Sequence, residues 1–278
     1  MQRPKSDGRS FKYHEAMMNI FFIASLFLSS PDSATTVQLI REVHIHNTGM
    51  TTDNLGNCYV LNKDQITKFN AKGDSLSTQS YKWLGWISSM DASNGLRLLL
   101  FYRDLNQIAI LDNTLSIQGE PVKLEKLGLQ FARLVCQSPN NNSLWFYDTD
   151  EFSLKRFDHN FKLIRNSGNI TQVTGQDLDP NFMTEYNNML YLNNPESGIL
   201  VFDQFGTYFK TIPVKGLDYF QVVDNFIFYL SGDQLMRYDM LSFEQREILL
   251  PIKKIKTFRI EGKQLYLLGE DGLGIYFH

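Results

Sequence analysis

Thr51 to Leu76 reads TTDNLGNCYVLNKDQITKFNAKGDSL. Gly56-Asn57 is a turn dipeptide with Asp53 three residues before it; glycine accepts positive φ, and an aspartate side chain bonds backbone amides across a reversal. Cys58-Tyr59-Val60-Leu61 follows as a short apolar run of strand formers. Lys63-Asp64 breaks the run, Gln65 to Phe69 resumes with Ile66 and Phe69 as apolar anchors, and Asn70 to Asp74 turns again around Gly73. The order is turn, strand, tight turn, strand, turn, strand, with no helical period.

Working outward, a short apolar run, a breaker, and an apolar residue followed by Asp or Asn recur along the chain. Tyr59-Val60-Leu61 leads to Phe69-Asn70, Leu99 to Tyr102 leads to Leu111-Asp112, and Leu144-Trp145-Phe146-Tyr147 leads to Phe157-Asp158. Leu190-Tyr191-Leu192 then leads to Phe202-Asp203, Ile227 to Leu230 leads to Tyr238-Asp239, and Leu265 to Leu268 leads to Ile275-Tyr276. Measured between positions 69, 111, 157, 202, 238 and 276, the spacings are 42, 46, 45, 36 and 38 residues. Another strand precedes most of the central runs: Ile87 to Met90, Ala132 to Val135, Phe182 to Glu185, Phe220 to Val223 and Phe258 to Ile260. A further strand follows the apolar-Asp step, as in Phe161 to Ile164, Tyr208 to Ile212 and Arg246 to Leu249. Each unit therefore offers four strands, and a period of about 40 to 45 residues with several strands per unit is the signature of propeller blades.

The sixth unit reaches His278 after three strands, while Thr36 to Ile45 is a lone strand ahead of the first. Pairing the two closes a ring and removes an open sheet edge. The fold expected is all-β: a six-bladed propeller of four-stranded antiparallel blades over residues 35–278, the last completed by an N-terminal strand, with about 41 of the 244 residues per blade. Runs such as Leu144 to Tyr147 and Phe226 to Leu230 lack strict alternation, as expected of central strands buried on both faces, and Trp145 and Phe228 are assigned to the core.

Asp53-Asn54-Leu55-Gly56-Asn57-Cys58-Tyr59-Val60, followed by Ile66 and Phe69, resembles an NHL-type propeller repeat: Asp, Gly-Asn, aromatic-Val, then Ile and Phe-Asp. The match covers residues 51 to 76; the other units keep the apolar runs and the apolar-Asp step and are similar to the six-bladed propellers of exported bacterial proteins. The resemblance implies a fold, not an activity.

Residues 20 to 28, IFFIASLFL, form an uncharged apolar block with Lys5, Arg9, Lys12 and His14 upstream and Ser29, Ser30, Ser33 and Ala34 after it. Nine apolar residues fall short of the roughly 20 a membrane-spanning helix needs but suit a signal-peptide core. Residues 1–34 are read as a signal peptide or disordered N-terminal segment, with Met17 and Met18 as alternative starts and a cleavage site weakened by Asp32. The expected location is the periplasm or the exterior, with no transmembrane span.

With 27 basic and 30 acidic residues and a net charge of -3, the chain lacks the basic excess of a nucleic-acid surface. Lys253-Lys254-Ile255-Lys256 is its densest basic run and reads as a solvated loop. Cys58 and Cys136 read as buried thiols, without zinc spacing. His44 and His46 share one face of a strand, compatible with a metal site but lacking a third ligand. Gly269 to Gly274 reads as a hairpin turn, and no nucleophile elbow, zinc-protease helix or phosphate loop occurs.

Arg133, Glu185 and Arg259 lie on the strands expected to line the central channel and are the candidate binding residues. No catalytic or metal-ligating residue and no cofactor is assigned. The reading is a non-enzymatic binding or scaffold propeller of the bacterial envelope, acting as a monomer or within an envelope complex and recognising a protein or glycan through loops at one end of the ring. The alternative is a calcium-dependent lactonase or esterase-like hydrolase with a metal in the channel. Its motive is the blade count together with Asp53, Asp91, Asn94, Asn187 and Asp224 in the turns, which are better explained by turn chemistry because they fall where strands reverse.

Overall fold

A computed structural model describes residues 37–139 and 141–277. The signal-peptide assignment falls on residues outside this range. The first strand, β1 (Gln38–His44), belongs to the last blade. Blade one follows with β2 (Gly49–Thr52), β3 (Cys58–Asn62), β4 (Gln65–Phe69) and β5 (Ser75–Ser80). Blade two holds β6 (Ser89–Asp91), β7 (Leu98–Tyr102), β8 (Gln107–Leu111) and β9 (Val122–Lys123). Blade three holds β10 (Ala132–Ser138), β11 (Ser143–Asp148), β12 (Ser153–Phe157) and β13 (Leu163–Asn169), and leads through a short helix, α1 (Ile170–Thr174), to blade four. Blade four holds β14 (Phe182–Tyr186), β15 (Met189–Asn194), β16 (Gly198–Phe202) and β17 (Tyr208–Ile212). Blade five holds β18 (Phe220–Val223), β19 (Phe226–Ser231), β20 (Gln234–Asp239) and β21 (Gln245–Ile248). Blade six holds β22 (Ile255–Glu261), β23 (Gln264–Gly269) and β24 (Gly272–Phe277), with β1 as its fourth strand.

All six sheets are four-stranded meanders, antiparallel at every pairing. The closure expected from the sequence is present: Gln38 pairs with Phe277 and His44 with Gly272, through a bulge at Leu39/Arg41. Each blade's first strand is innermost. The outermost strands β1, β5, β13 and β21 are mostly exposed, forming the solvated rim.

The core is six clusters, one between each pair of adjacent blades. This explains the unbroken apolar runs. Successive side chains on a strand point to opposite faces, so Leu144 and Phe146 enter the interface with blade two while Trp145 and Tyr147 enter the interface with blade four. Ile227 and Tyr229 likewise face blade four, whereas Phe226 and Phe228 face blade six. Every blade buries both faces, so no residue in the run is available to be polar.

The apolar-Asp step is a turn device. Oδ1 of Asn70, Asp112, Asp158 and Asp203 accepts the amide N–H groups two and four residues ahead, at 2.8 to 2.9 Å. Asp239 accepts from Leu241 and Ser242 at 2.8 and 3.2 Å. These bonds hold the reversal from third to fourth strand in blades one to five. Blade six has no such residue because its fourth strand comes from the other end of the chain.

Some elements were not legible. The inner strand β2, Gly-Met-Thr-Thr, and the two-residue β9 carry too little apolar pattern to register as strands. The helix α1 rests on Asn169, whose side chain accepts from the Thr171 and Gln172 amides. Cys58 and Cys136 are free, buried thiols in blades one and three. No helix among the described residues is long and apolar enough to cross a membrane.

Candidate functional site

The ring has two mouths. At the lower mouth lie the turns from first to second and third to fourth strand; at the upper mouth lie the turns from second to third strand and the crossovers between blades. A recess of about 360 Å³ opens at the lower mouth and draws residues from all six blades: Thr52 and Asn54, Ser93, Pro139, Thr184 to Asn187, Phe220 to Val223, and Arg259 to Gly262.

Its charged centre is Arg259 on β22. The guanidinium donates through Nε to Thr52 Oγ1 at 2.9 Å, through one terminal nitrogen to the Tyr219 hydroxyl at 2.7 Å, and through the other to Glu261 Oε1 at 3.0 Å. Thr52 Oγ1 in turn donates to Glu261 Oε1 at 2.7 Å. Burial opposes the charge on Arg259, but Tyr219 and Glu261 outweigh that opposition and hold its pKa above the ordinary arginine value. Both members of the pair remain partly open to the recess, at 19% and 24% side-chain exposure.

The other two candidates from the sequence have different settings. Glu185 contributes to the wall of the recess, but its side chain is buried between blades three and four. It accepts from Ser138 Oγ at 2.7 Å and from Trp145 Nε1 at 2.6 Å, with an Arg156 terminal nitrogen 3.9 Å away. Arg156 lies over the Trp145 ring and donates to Ser143 Oγ, Ser138 Oγ and the Gln204 carbonyl. Burial lowers the Arg156 pKa, with Glu185 acting in the opposite direction. Arg133 sits at a bulge near the upper mouth and forms an exposed ion pair with Asp179. The structure thus places Arg259 and Glu185 on one recess, with the Glu185 side chain turned into its wall, and sets Arg133 apart near the other mouth.

Strand parity carries the signal that separates them. Glu185 shares parity with the buried Met183, so both enter the interface with blade three, whereas Arg259 and Glu261 share the parity of β22 that turns toward Thr52 of blade one. The partners Thr52 and Tyr219 have no local signal, because they arrive from β2 and from the crossover before β18.

Around the lower mouth each blade is bonded to the next. Gly95 N–H donates to Asn54 Oδ1 and Gln137 N–H to Asp91 Oδ2, Ser138 donates to Glu185, and the Asp224 amide donates to the Tyr186 hydroxyl. The Gln221 side-chain amide exchanges two bonds with the Ile260 backbone, and Arg259 donates to Thr52. Of the turn residues considered for a channel cation, Asp53 and Asp91 are already engaged in these and local bonds. Asp53 accepts from the Leu55 and Asn57 amides, Asn57 Nδ2 and the Tyr59 hydroxyl, and Asp91 also accepts from the Ser93 amide. Among the described residues no three His, Cys, Asp or Glu side chains converge as a metal site. His44 and His46 are exposed at the end of β1 and just beyond it.

The upper mouth differs in character. Trp83 and Trp86, in the crossover from blade one to blade two, are 66% and 64% exposed, and Leu105 and Phe131 are 50% and 64% exposed. Gly85, in the same crossover, lies beside Leu105: a Cβ placed on it would fall 3.6 Å from Leu105 Cδ1. Leu105 and Phe131 in turn line a second recess of about 700 Å³ with Arg103, Asp104, Glu125 and Arg133. Lys63 Nζ lies 5.3 Å above the Trp86 ring centroid.

No protein-family model matches the sequence, and no curated protein matches it. Solved structures do. A catalytically inactive histidine-to-alanine variant of virginiamycin B lyase from Staphylococcus aureus, with quinupristin, superimposes at a TM-score of 0.58 and 13% identity, over 87% of this chain and 100% of that one. The Pan2 WD40 domain of Neurospora crassa superimposes at 0.62 and 7% identity, over 88% of this chain and 96% of that one. The extracellular domain of a one-component system from B. thetaiotaomicron gives 0.54 and 12%, over 82% of this chain and 32% of that one. The chain is a six-bladed β-propeller. At these identities the likeness establishes the fold alone, and propellers with such different roles do not transmit an activity.

Proposed function

We propose that this propeller is a non-enzymatic binding or scaffold module of the bacterial envelope that engages a protein partner through its upper mouth. The observation carrying this reading is the exposed aromatic and aliphatic surface of Trp83, Trp86, Leu105 and Phe131. Contiguous exposed apolar surface marks interaction sites in soluble proteins, and tryptophan and arginine are enriched where binding energy concentrates. Arg103 and Arg133 border the same surface. Both tryptophans sit on the crossover between blades one and two, and loops on a rigid scaffold are the usual place for recognition residues. The apolar block at residues 20 to 28, with the basic residues ahead of it, supports export as part of this reading.

The test compares capture from envelope extract by wild-type protein and by a Trp83→Ser/Trp86→Ser variant. Both side chains are exposed, so folding should survive. Species retained by the wild type and lost by the variant support the reading; identical retained sets overturn it. Fractionation of cells expressing the full chain tests export, and recovery in the cytosol alone rejects it. The hydrolase alternative requires a channel cation, and the engagement of Asp53 and Asp91 in turn and interblade bonds weighs against it. Stoichiometric calcium in purified protein would restore it.

A further inference from the structure

The lower mouth has the composition of a small-molecule site, independent of partner docking at the other end, and we propose that it binds a neutral polyhydroxylated ligand such as a sugar residue. Its volume of about 360 Å³ falls in the range of ligand pockets, and all six blades contribute to its wall, so ring closure shapes it.

The chemistry selects the ligand class. A guanidinium has five N–H donors. Thr52, Tyr219 and Glu261 occupy one each on Arg259, fixing its plane and leaving two for a ligand. Glu261 Oε1 receives both Thr52 and Arg259, and no described residue donates to Oε2. Asn54 accepts the Gly95 amide through Oδ1 and keeps its Nδ2 group without a partner among the described residues. The recess therefore presents a held cation, a held anion and an amide donor beside apolar wall from Val222 and Ile260.

A ligand anion would face Glu261 and a ligand cation would face Arg259, each leaving a desolvated like-charge contact. A hydroxyl both donates and accepts. Adjacent hydroxyls on one ring therefore satisfy Glu261 Oε2 and Arg259 together while the ion pair stays neutral. The network around Arg259 is formed before any ligand arrives, which limits the ordering cost of binding.

The experiment is saturation-transfer NMR and calorimetry on the full chain, using D-glucose, N-acetylglucosamine and myo-inositol, with sodium acetate and inorganic phosphate as charged controls. Wild-type protein is expected to bind at least one of the neutral polyols and neither anion. Glu261→Gln keeps a carbonyl oxygen for Thr52 and Arg259 but loses the carboxylate acceptor and the counter-charge. It should weaken the polyol about tenfold and admit acetate. Asn54→Ala, in an exposed turn, should weaken the polyol without admitting acetate. Thermal melts establish that both variants fold. Absence of polyol binding, acetate or phosphate binding to the wild type, or unchanged polyol affinity in both variants overturns the proposal. None of these results depends on the fate of Trp83 and Trp86.

Discussion

The indole Nε1 of Trp145 donates to Glu185 Oε2 at 2.6 Å across the interface between blades three and four. The bond joins a large core side chain to a buried carboxylate that also receives Ser138 and lies near Arg156. Removing Glu185 leaves the Trp145 indole without its acceptor and Arg156 without its counter-charge. Glu185→Ala is expected to cost about 3 to 5 kcal/mol, because Arg156 then carries an uncompensated buried charge. Trp145→Ala is expected to cost a similar amount through its cavity, as is Phe228→Ala between blades five and six. The double variant Trp145→Ala/Glu185→Ala should be less destabilised than the sum of the two singles, because they share one network. Denaturant melts with constant m-values check this; additive losses would show that the two residues act separately.

Closure of the ring is tested at Gly272. Its φ is +152°, and a Cβ there would fall 2.0 Å from the Val43 carbonyl oxygen on β1. Gly272→Ala must push β1 away from β24, at about 1 to 3 kcal/mol. Gly262 supplies the control: its φ is +57° with open space around the added carbon, so Gly262→Ala pays only left-handed strain, about 1 kcal/mol. Thermal melting of both should rank Gly272→Ala lower, and the reverse order would deny that β1 seals the ring.

Acid should loosen the turns between third and fourth strands. The pKa of Asp112 is lowered first by the Thr114 side-chain bond, that of Asp158 by the Lys162 amide and that of Asp239 by the Leu241 amide. Their folded values lie below the unfolded ones. The contribution is therefore complete above the ordinary aspartate value and is lost as pH falls through the folded values. Asp158→Asn retains an acceptor for the same amides, as Asn70 does in blade one. It should reduce the slope of stability against pH below about pH 4 and lower stability near neutrality slightly, because a neutral acceptor lacks the carboxylate charge. A slope equal to wild type removes Asp158 from the acid response.

The two thiols should be inert in the native protein. Burial is the main influence raising the pKa of both Cys58 and Cys136, and only the thiolate reacts. Iodoacetamide at pH 8 should label neither until denaturant is added, and then both. Rapid native labelling would place a thiol at the surface.

Blade number, the order of four strands in most units and the borrowed strand were legible in the sequence because they are local and periodic. A strand buried on both faces must be continuously apolar, as Leu144 to Tyr147 is, and a reversal closed by one side chain needs Asp or Asn at a fixed step, as at Asp158 and Asp203. Strand β2 escaped because Gly-Met-Thr-Thr lies beside the axis, where the recess replaces part of the apolar packing. The site was legible only in part. Arg259 could be placed on an inner strand from the sequence, but its setting depends on Thr52, 207 positions away, and on Tyr219, 40 away. Glu185 is likewise a charged residue on an inner strand, yet its parity directs it into the wall beside Trp145. Local periodicity specifies which residues make a sheet and which faces it must cover. Ring closure alone decides which polar side chains from distant blades meet at the channel, because it sets distances that no stretch of chain contains.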